Sequence, residues 1–207
     1  MAKIVIFDYG VGNLLSLKVA LEKAGLNVVI GNSAKSLSET DAVALPGVGS
    51  FGPAADKLSL VKEALQTKVE EGTPILGICL GLQLFFEQSQ EGTGNGLALF
   101  KGKNVQLPQS VKVPHMGWNR IRPAAGAACP LFRGLDSQPY LYFVHRYYAR
   151  PADPALVLAS CTYGEEFPAA VGRGNVYAVQ IHPETSQPSG IACRRPFGDR
   201  EKEGARD

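Results

Sequence analysis

The chain has 207 residues, of which 45% are hydrophobic and 19% are charged, and its formal net charge is +2. This composition is typical of a globular protein with a sizeable core, and the mild charge, with no Lys/Arg-rich run, argues against a nucleic-acid partner. The sequence has no run of 18 apolar residues and no signal-peptide pattern, so we expect a cytoplasmic protein without membrane association.

Strands and helices alternate in the first half of the chain. In chain order we predict a strand at Lys3–Phe7, a helix at Asn13–Ala24, strands at Val28–Ile30 and Ala42–Leu45, a helix at Ala54–Glu70, a strand at Pro74–Ile78 and a helix at Gly81–Glu87. The strands are short apolar runs, which are typical of a buried parallel sheet. Gly25 is suited to cap the first helix.

After about residue 92, short runs rich in Val, Tyr and Thr alternate with Gly and Pro. We predict antiparallel strands at Asn104–Leu107, Tyr140–Tyr148, Leu156–Thr162, Ala169–Gly172 and Val176–Ile181. Gly172–Asn175 is suited to a hairpin turn between the last two. The expected fold is a single α/β domain in which a strand-rich region returns to a parallel sheet.

The run GICLG at residues 77–81 joins a predicted strand to a predicted helix. This is the pattern of a nucleophile elbow, in which small neighbours permit a sharp turn that exposes the nucleophile at the carboxyl edge of the sheet. Cys79 would then lie at a helix N-terminus, where the dipole favours its thiolate. A buried cysteine that only fills space fits the same run.

A candidate general base, His182, follows the last predicted strand and is followed by Pro183 and Glu184. Residues two apart in an extended chain point the same way, so Glu184 can orient the ring and leave its other nitrogen to take the thiol proton. The chain has only three histidines. His115 and His145 have no carboxylate close by in sequence, and we expect both to be hydrogen-bonded structural or partly exposed residues.

The glycine-rich run PGVGSFG at residues 46–52 follows the third predicted strand. Glycine allows peptide N–H groups to turn toward one point, so Val48 and Gly49 are candidate donors to the oxyanion of an attacked amide. The N–H of Leu80 is the natural second donor. A plain glycine turn after a strand fits the same residues.

Nucleotide and metal sites are not expected. The glycines at 10 and 12 lack the third glycine of a dinucleotide site, because Leu15 stands there, and no G-K-[ST] run forms a P-loop. Four cysteines occur without a C-x-x-C pair, which argues against zinc and against a disulfide framework: Cys79, Cys129, Cys161 and Cys193. We therefore expect no metal and no cofactor.

Six runs occur in order along residues 1–187: DYGVGN, LPGVGSFG, LGICLGLQLF, VPHMGWN, YFVHRYY and VQIHPE. Together they resemble the class I glutamine amidotransferases and, within that class, the glutaminase subunits of imidazole glycerol phosphate synthase. G-x-C-x-G and HPE are common to the class, whereas DYGVGN, PGVGSFG and PHMGWN are more specific to these subunits.

The resemblance implies a flavodoxin-like three-layer α/β sandwich over residues 1–190, with a mostly parallel central sheet and an added antiparallel region. It implies glutamine hydrolysis through a thioester on Cys79, with ammonia passed to a (β/α)₈-barrel partner in histidine biosynthesis. It also implies glutamine contacts at Gln83 and Glu91, and a partner interface at Asn13, Trp118 and Asn119. By position, we also expect Arg146 and Tyr147 to line the glutamine pocket and Thr185 to lie at the interface.

The chain departs from the resembled pattern at three places. Arg146 replaces a serine that borders the glutamine pocket, so it either changes the pocket or offers a new contact to the substrate carboxylate. Thr185 replaces a lysine that faces the partner. Residues 191–207 carry five basic and four acidic residues where an amphipathic helix is usual, and Pro196 and Gly198 would interrupt a helix, so we expect a disordered or poorly packed tail.

Two alternatives to this function stay open at the level of sequence. One is the glutaminase of another pathway on the same scaffold, such as anthranilate or pyridoxal phosphate synthesis, although those relatives usually lack PHMGWN. The other is a glutaminase-like binding subunit whose activity is impaired by Arg146 and the tail. Labelling of Cys79 by a glutamine analogue would separate an active enzyme from such a subunit.

Overall fold

The computed structural model describes residues 2–124, 130–132 and 135–186. In its first half, strands and helices alternate as predicted. The elements are β1 (Lys3–Phe7), α1 (Leu14–Lys23), β2 (Asn27–Gly31), α2 (Ala34–Ser38), β3 (Ala42–Leu45), α3 (Phe51–Ser59), α4 (Lys62–Glu70), β4 (Ile75–Ile78) and α5 (Leu80–Leu84). In the described ranges, none of the helices has both the length and the apolar character needed to cross a membrane.

Where the structure describes it, the second half is built from strands and two short 3₁₀ turns, at Pro130–Phe132 and Pro154–Leu156. The strands are β5 (Gln88–Ser89), β6 (Gly102–Gln106), β7 (His115–Pro123), β8 (Tyr140–His145), β9 (Tyr147–Pro151), β10 (Val157–Tyr163), β11 (Glu165–Arg173) and β12 (Val176–Val179). The tail predicted to be disordered, residues 191–207, lies outside the described residues.

One large sheet joins the two halves, in the order β2-β1-β3-β4-β12-β11-β10-β7-β8. Its first five strands run parallel, and the strands from β11 onward continue it in antiparallel pairs. The β11–β12 hairpin carries the chain back to the parallel part, and Gly174 supplies the positive φ of 61° at its turn. The predicted return to the central sheet is confirmed.

Both faces of the parallel part are buried, which gives the predicted three layers. Along β1, Ile4 and Ile6 pack with Leu17 and Leu21 of α1 on one face. Their neighbours on β1 face the other way, into a second cluster that is filled by apolar residues of α2, α3, α4 and α5. Side chains that alternate between two buried faces explain why these strands are apolar throughout.

The helix predicted at Ala54–Glu70 is wrong in both extent and continuity. Helix α3 begins earlier, because Pro53 falls in its first turn, where no intrahelical partner for a backbone N–H is needed. The chain then breaks after Ser59, whose hydroxyl donates to the Asp56 carbonyl at 2.6 Å and competes with the helical hydrogen bonds. The strand predicted at Tyr140–Tyr148 likewise divides at Arg146 into β8 and β9.

Candidate active site

Cys79 occupies a sharp turn between β4 and α5. Its φ of 53° and ψ of −103° lie in a region that side chains rarely adopt. The flanking glycines permit this turn, because a Cβ on Gly77 would lie 2.8 Å from the backbone of Gly81, and a Cβ on Gly81 would overlap the Leu45 carbonyl. The strand, strained turn and helix predicted for a nucleophile elbow are therefore present.

His182 reaches Cys79 because their strands are neighbours. Strands β4 and β12 pair in parallel, with Ile78 opposite Val179, so both residues leave the sheet at its carboxyl edge. The N–H of His182 donates to the Tyr142 carbonyl at 2.9 Å, which ties this segment to β8.

Glu184 holds the ring of His182 in one orientation. Its Oε1 lies 2.8 Å from Nδ1 of the ring, and both side chains are almost fully buried. Nε2 is also buried and has no hydrogen-bond partner among the residues that the structure describes. With Nδ1 engaged by the carboxylate, Nε2 is the nitrogen available to exchange a proton with a thiol.

Opposing effects act on the pKa of His182. Burial lowers it, but the charge and hydrogen-bonding capacity of Cys79, together with Glu184, raise the pKa of His182 to about 10. The sulfur is thus within electrostatic range of the ring, although Nε2 makes no hydrogen bond of ordinary length in the described chain. Long catalytic hydrogen bonds are common before substrate binds. The surroundings therefore favour the protonated, cationic form of the His182 ring.

A cleft of about 250 Å³ opens beside Cys79. It brings together eight of the residues predicted for the nucleophile, the oxyanion donors and the glutamine contacts: Val48, Gly49, Cys79, Leu80, Gln83, Glu91, Arg146 and Tyr147. The remaining lining residues are Pro114, Val144 and His145. Loops that follow β3 and β4 therefore meet the β8–β9 junction around one space.

The candidate oxyanion donors are only partly free in this structure. Gly49 has a φ of 144°, so the loop uses a backbone conformation that suits glycine. The N–H of Leu80, however, donates to the Gly47 carbonyl at 3.3 Å, and Tyr9 donates its hydroxyl to the Pro46 carbonyl. Leu80 can serve as a donor to substrate only after the Gly47 carbonyl turns away.

The candidate glutamine contacts differ in how they are held. Gln83 is buried, and its Nε2 donates to the Tyr147 carbonyl at 2.9 Å, so its side chain faces the site and not the solvent. Glu91 accepts the N–H of Phe51 on Oε2 at 2.8 Å. Arg146 is exposed.

Arg146 differs from the other arginines in the described ranges, because it alone has no side-chain hydrogen bond or ion pair. The other four all have a polar partner: Arg120 with Tyr140, Arg122 with Glu166, Arg150 with Glu165, and Arg173 with Asp153. A cation without a protein partner therefore lines the cleft.

His145 and Gln180 also belong to this site, although neither was predicted from the sequence as a site residue. The rings of His115 and His145 are buried and 3.0 Å apart between Nδ1 and Nε2, so the expectation of hydrogen-bonded histidines is confirmed. Burial lowers the pKa of His115 to about 4 and that of His145 to about 3.

Gln180 is fully buried and contacts the Cys79 sulfur. Gln180 lies two residues before His182, and residues two apart in an extended chain point the same way, so the sequence could have placed Gln180 on the side of the site.

The candidate interface residues lie outside the cleft. Trp118 on β7 is 52% exposed, and Thr185 is exposed. Asn13 caps α1 by accepting the N–H of Ser16, and Asn119 donates to the Thr162 carbonyl at 3.1 Å. These two asparagines therefore have structural roles whether or not they meet a partner. Within the described ranges, no group of three His, Cys, Asp or Glu side chains could hold a metal.

Comparison with known proteins agrees with this geometry. Residues 5–192 match the family Glutamine amidotransferase class-I, and the chain belongs to this family. A solved structure of PurLQS from Thermotoga maritima has the same fold, with a TM-score of 0.76, 19% identity and coverage of 95% of this chain and 99% of that one.

Two relatives narrow the assignment within the class. The chain is 44% identical to imidazole glycerol phosphate synthase subunit HisH of Halobacterium salinarum, over 96% of this chain and 93% of that protein. It is also 44% identical to HisH of Bacillus subtilis, over 93% of each. Within the class I glutamine amidotransferases, the chain is therefore a glutaminase of the HisH subfamily.

Proposed function

We propose that Cys79 carries the glutaminase reaction and that His182 and Glu184 assist it. The thiolate attacks the side-chain amide carbon of glutamine, and His182 Nε2 gives a proton to the leaving nitrogen, which departs as ammonia. A water molecule, deprotonated by His182, then attacks the thioester and releases glutamate. The observation that carries this proposal is that a strained, buried thiol and a carboxylate-bound imidazole both follow the carboxyl ends of two paired strands, β4 and β12.

Stabilisation of the tetrahedral intermediate would come from backbone N–H groups. The proposal assigns this role to the loop at Val48 and Gly49 and to Leu80. Because the Leu80 N–H now donates to the Gly47 carbonyl, full activity requires the loop to rearrange. One oxyanion donor is typically worth ~100- to 1,000-fold in rate, so this rearrangement would act as a strong control on turnover.

Glutamine would lie in the cleft with its amide toward Cys79 and its α-carbon groups toward the rim. The residues that line the cleft include one carboxylate side chain, Glu91, and one guanidinium side chain, Arg146. Glu91 would bind the ammonium group and Arg146 the carboxylate, while Gln83 and Tyr147 would shape the middle of the cleft. His145 cannot replace Arg146 as the cation, because burial lowers its pKa to about 3.

The proposed partner is the cyclase subunit of imidazole glycerol phosphate synthase, a (β/α)₈ barrel that receives the ammonia. Both relatives are named as subunits of that enzyme. Trp118 is an exposed aromatic anchor of the kind that protein interfaces use, and Thr185 lies three residues beyond His182. Asn13 and Asn119 complete the proposed interface. The reaction would belong to histidine biosynthesis in the cytoplasm.

A glutaminase assay with and without the barrel subunit tests this function. We expect ammonia release to rise when the barrel is added and to vanish in Cys79→Ala, which should still form the complex. A chloroketone analogue of glutamine should label Cys79 and leave Cys161, a buried cysteine on β10, unmodified. Ammonia release by Cys79→Ala at the wild-type rate would remove this residue from its role.

A further inference from the structure

Gln180 is a buried polar side chain without a place in the reaction described above. Its side chain has no solvent exposure, and it stands between the end of β12 and His182. Buried amides are costly unless hydrogen-bonded, so the partners of this group indicate its purpose. Its Nε2 lies 3.6 Å from the sulfur of Cys79, and its Oε1 lies 3.5 Å from Nε2 of Gln83.

The surrounding hydrogen bonds fix which end of the amide faces the sulfur. The Tyr147 carbonyl can only accept, so Gln83 must present its NH₂ group there, at 2.9 Å. That NH₂ group also faces Gln180, which must therefore present its oxygen. The NH₂ group of Gln180 is left to point at Cys79. A flipped Gln180 amide would place two donors together and an oxygen against the sulfur, so one orientation is favoured on both sides.

We infer that Gln180 is a catalytic residue that donates a hydrogen bond to the Cys79 sulfur and stabilises its thiolate. The inference rests on the proposed role of Cys79 as nucleophile. A neutral donor to sulfur favours the ionised form without adding a charge. Gln180 and His182, two residues apart, would thus contact the same sulfur, one as a fixed donor and the other as the group that exchanges the proton.

Gln180→Met removes the donor, keeps the length of the side chain and adds no charge, so it is the decisive variant. Gln180→Glu also keeps the length but places a carboxylate beside the sulfur, so it adds charge repulsion to the loss of the donor. The matched control is Gln106→Met on β6, which makes the same change at an exposed position. The first measurement is the alkylation rate of Cys79 by iodoacetamide at a series of pH values, read on the Cys79 peptide by mass spectrometry. The second is kcat and KM for glutamine with the barrel subunit present. Thermal unfolding identifies any variant that does not fold.

Both Gln180 variants are expected to move the midpoint of alkylation upward by about one pH unit or more, which is the range for a hydrogen bond to a charged group. We expect kcat to fall about 10-fold or more, with a smaller change in KM, while the control matches the wild type. If folded variants keep the wild-type midpoint, the inference is wrong. Alkylation needs no turnover, so it tests the role of Gln180 even if the wild-type complex releases no ammonia, a result that would count against the proposed function instead.

Discussion

The backbone N–H of Cys79 donates a hydrogen bond to the carbonyl of Val179 at 2.8 Å. This bond joins the end of β4 to the end of β12 and fixes the register of the two strands that carry the nucleophile and the proposed base. The convergence of residues about a hundred positions apart is thus a property of the sheet and does not depend on a flexible loop. Sites supported by regular elements hold their geometry more closely than sites on loops.

Loss of the imidazole should cost more than loss of its carboxylate. We expect His182→Ala to lower kcat by ~100- to 10,000-fold, which is the usual worth of general acid–base help. Glu184→Ala should cost less, because it removes the group that orients the ring at 2.8 Å but leaves the imidazole itself in place. Steady-state kinetics on both variants with the barrel subunit present would check this order. A larger loss in Glu184→Ala would contradict the orienting role.

The raised pKa of His182 predicts a fall in stability on the alkaline side of neutrality. A histidine titrates near 6.5 in the unfolded chain and at about 10 in the folded one. Between these values the folded protein binds a proton that the unfolded chain does not, so the unfolding free energy falls as pH rises. The contribution is complete below about 6.5 and lost above about 10.

Urea unfolding of the wild type and His182→Gln at several pH values across this window tests the sign. The unfolding free energy of the wild type should exceed that of the variant at low pH, and this difference should shrink as pH rises. A difference between the two proteins that stays constant across the window would show that His182 does not titrate in this way.

The close packing of the elbow predicts a steric effect of Gly81→Ala. The new Cβ would overlap the Leu45 carbonyl, and this backbone oxygen cannot move without disturbing β3. Overpacking of this kind typically costs ~1–3 kcal/mol, and we expect at least the upper part of that range. Gly92→Ala is the control, since a Cβ there meets nothing within 4 Å. Thermal unfolding of the two variants should therefore differ, and equal losses would argue against the packing explanation.

The sequence predicted the parallel strands well because their apolar runs are buried on both faces. Strand β7 was missed, since its sequence, HMGWNRIRP, has no apolar run and includes Gly117 and Asn119, which have low strand propensity. It is a strand because β8 and β10 pair with it on either side. Such pairing depends on segments distant along the chain and leaves no local signal.

The residues proposed to carry out the reaction could also be predicted in part from the sequence. Cys79 and His182 each carry a local pattern, a G-x-C-x-G elbow and a histidine followed by a carboxylate. The occupation of the Leu80 N–H by the Gly47 carbonyl could not be predicted, because it depends on the orientation of one peptide group. The contact of Gln180 with the sulfur required the register of β12 against β4.

An interface role for Trp118 predicts weaker binding of the barrel subunit by Trp118→Ala. The side chain is 52% exposed, and hot-spot residues typically contribute ~2 kcal/mol or more, which corresponds to about 30-fold in Kd. Leu60→Ala is the control, because Leu60 is an 84% exposed apolar residue between α3 and α4. Titration calorimetry with the barrel subunit should give a higher Kd for Trp118→Ala than for Leu60→Ala. Equal affinity in Trp118→Ala and the wild type would exclude this residue from the interface.

A carboxylate contact by Arg146 predicts a change in substrate discrimination. Arg146→Ser removes the unpaired cation that lines the cleft, so KM for glutamine should rise about 10-fold, the range for a charged hydrogen bond, with kcat little changed. L-glutaminamide has no free carboxylate, and its KM should be nearly the same in the variant and the wild type. Arg173→Ser, which breaks only a surface ion pair with Asp153, should leave both substrates unaffected. If Arg146→Ser raises KM equally for glutamine and for glutaminamide, the residue shapes the pocket and does not bind the carboxylate.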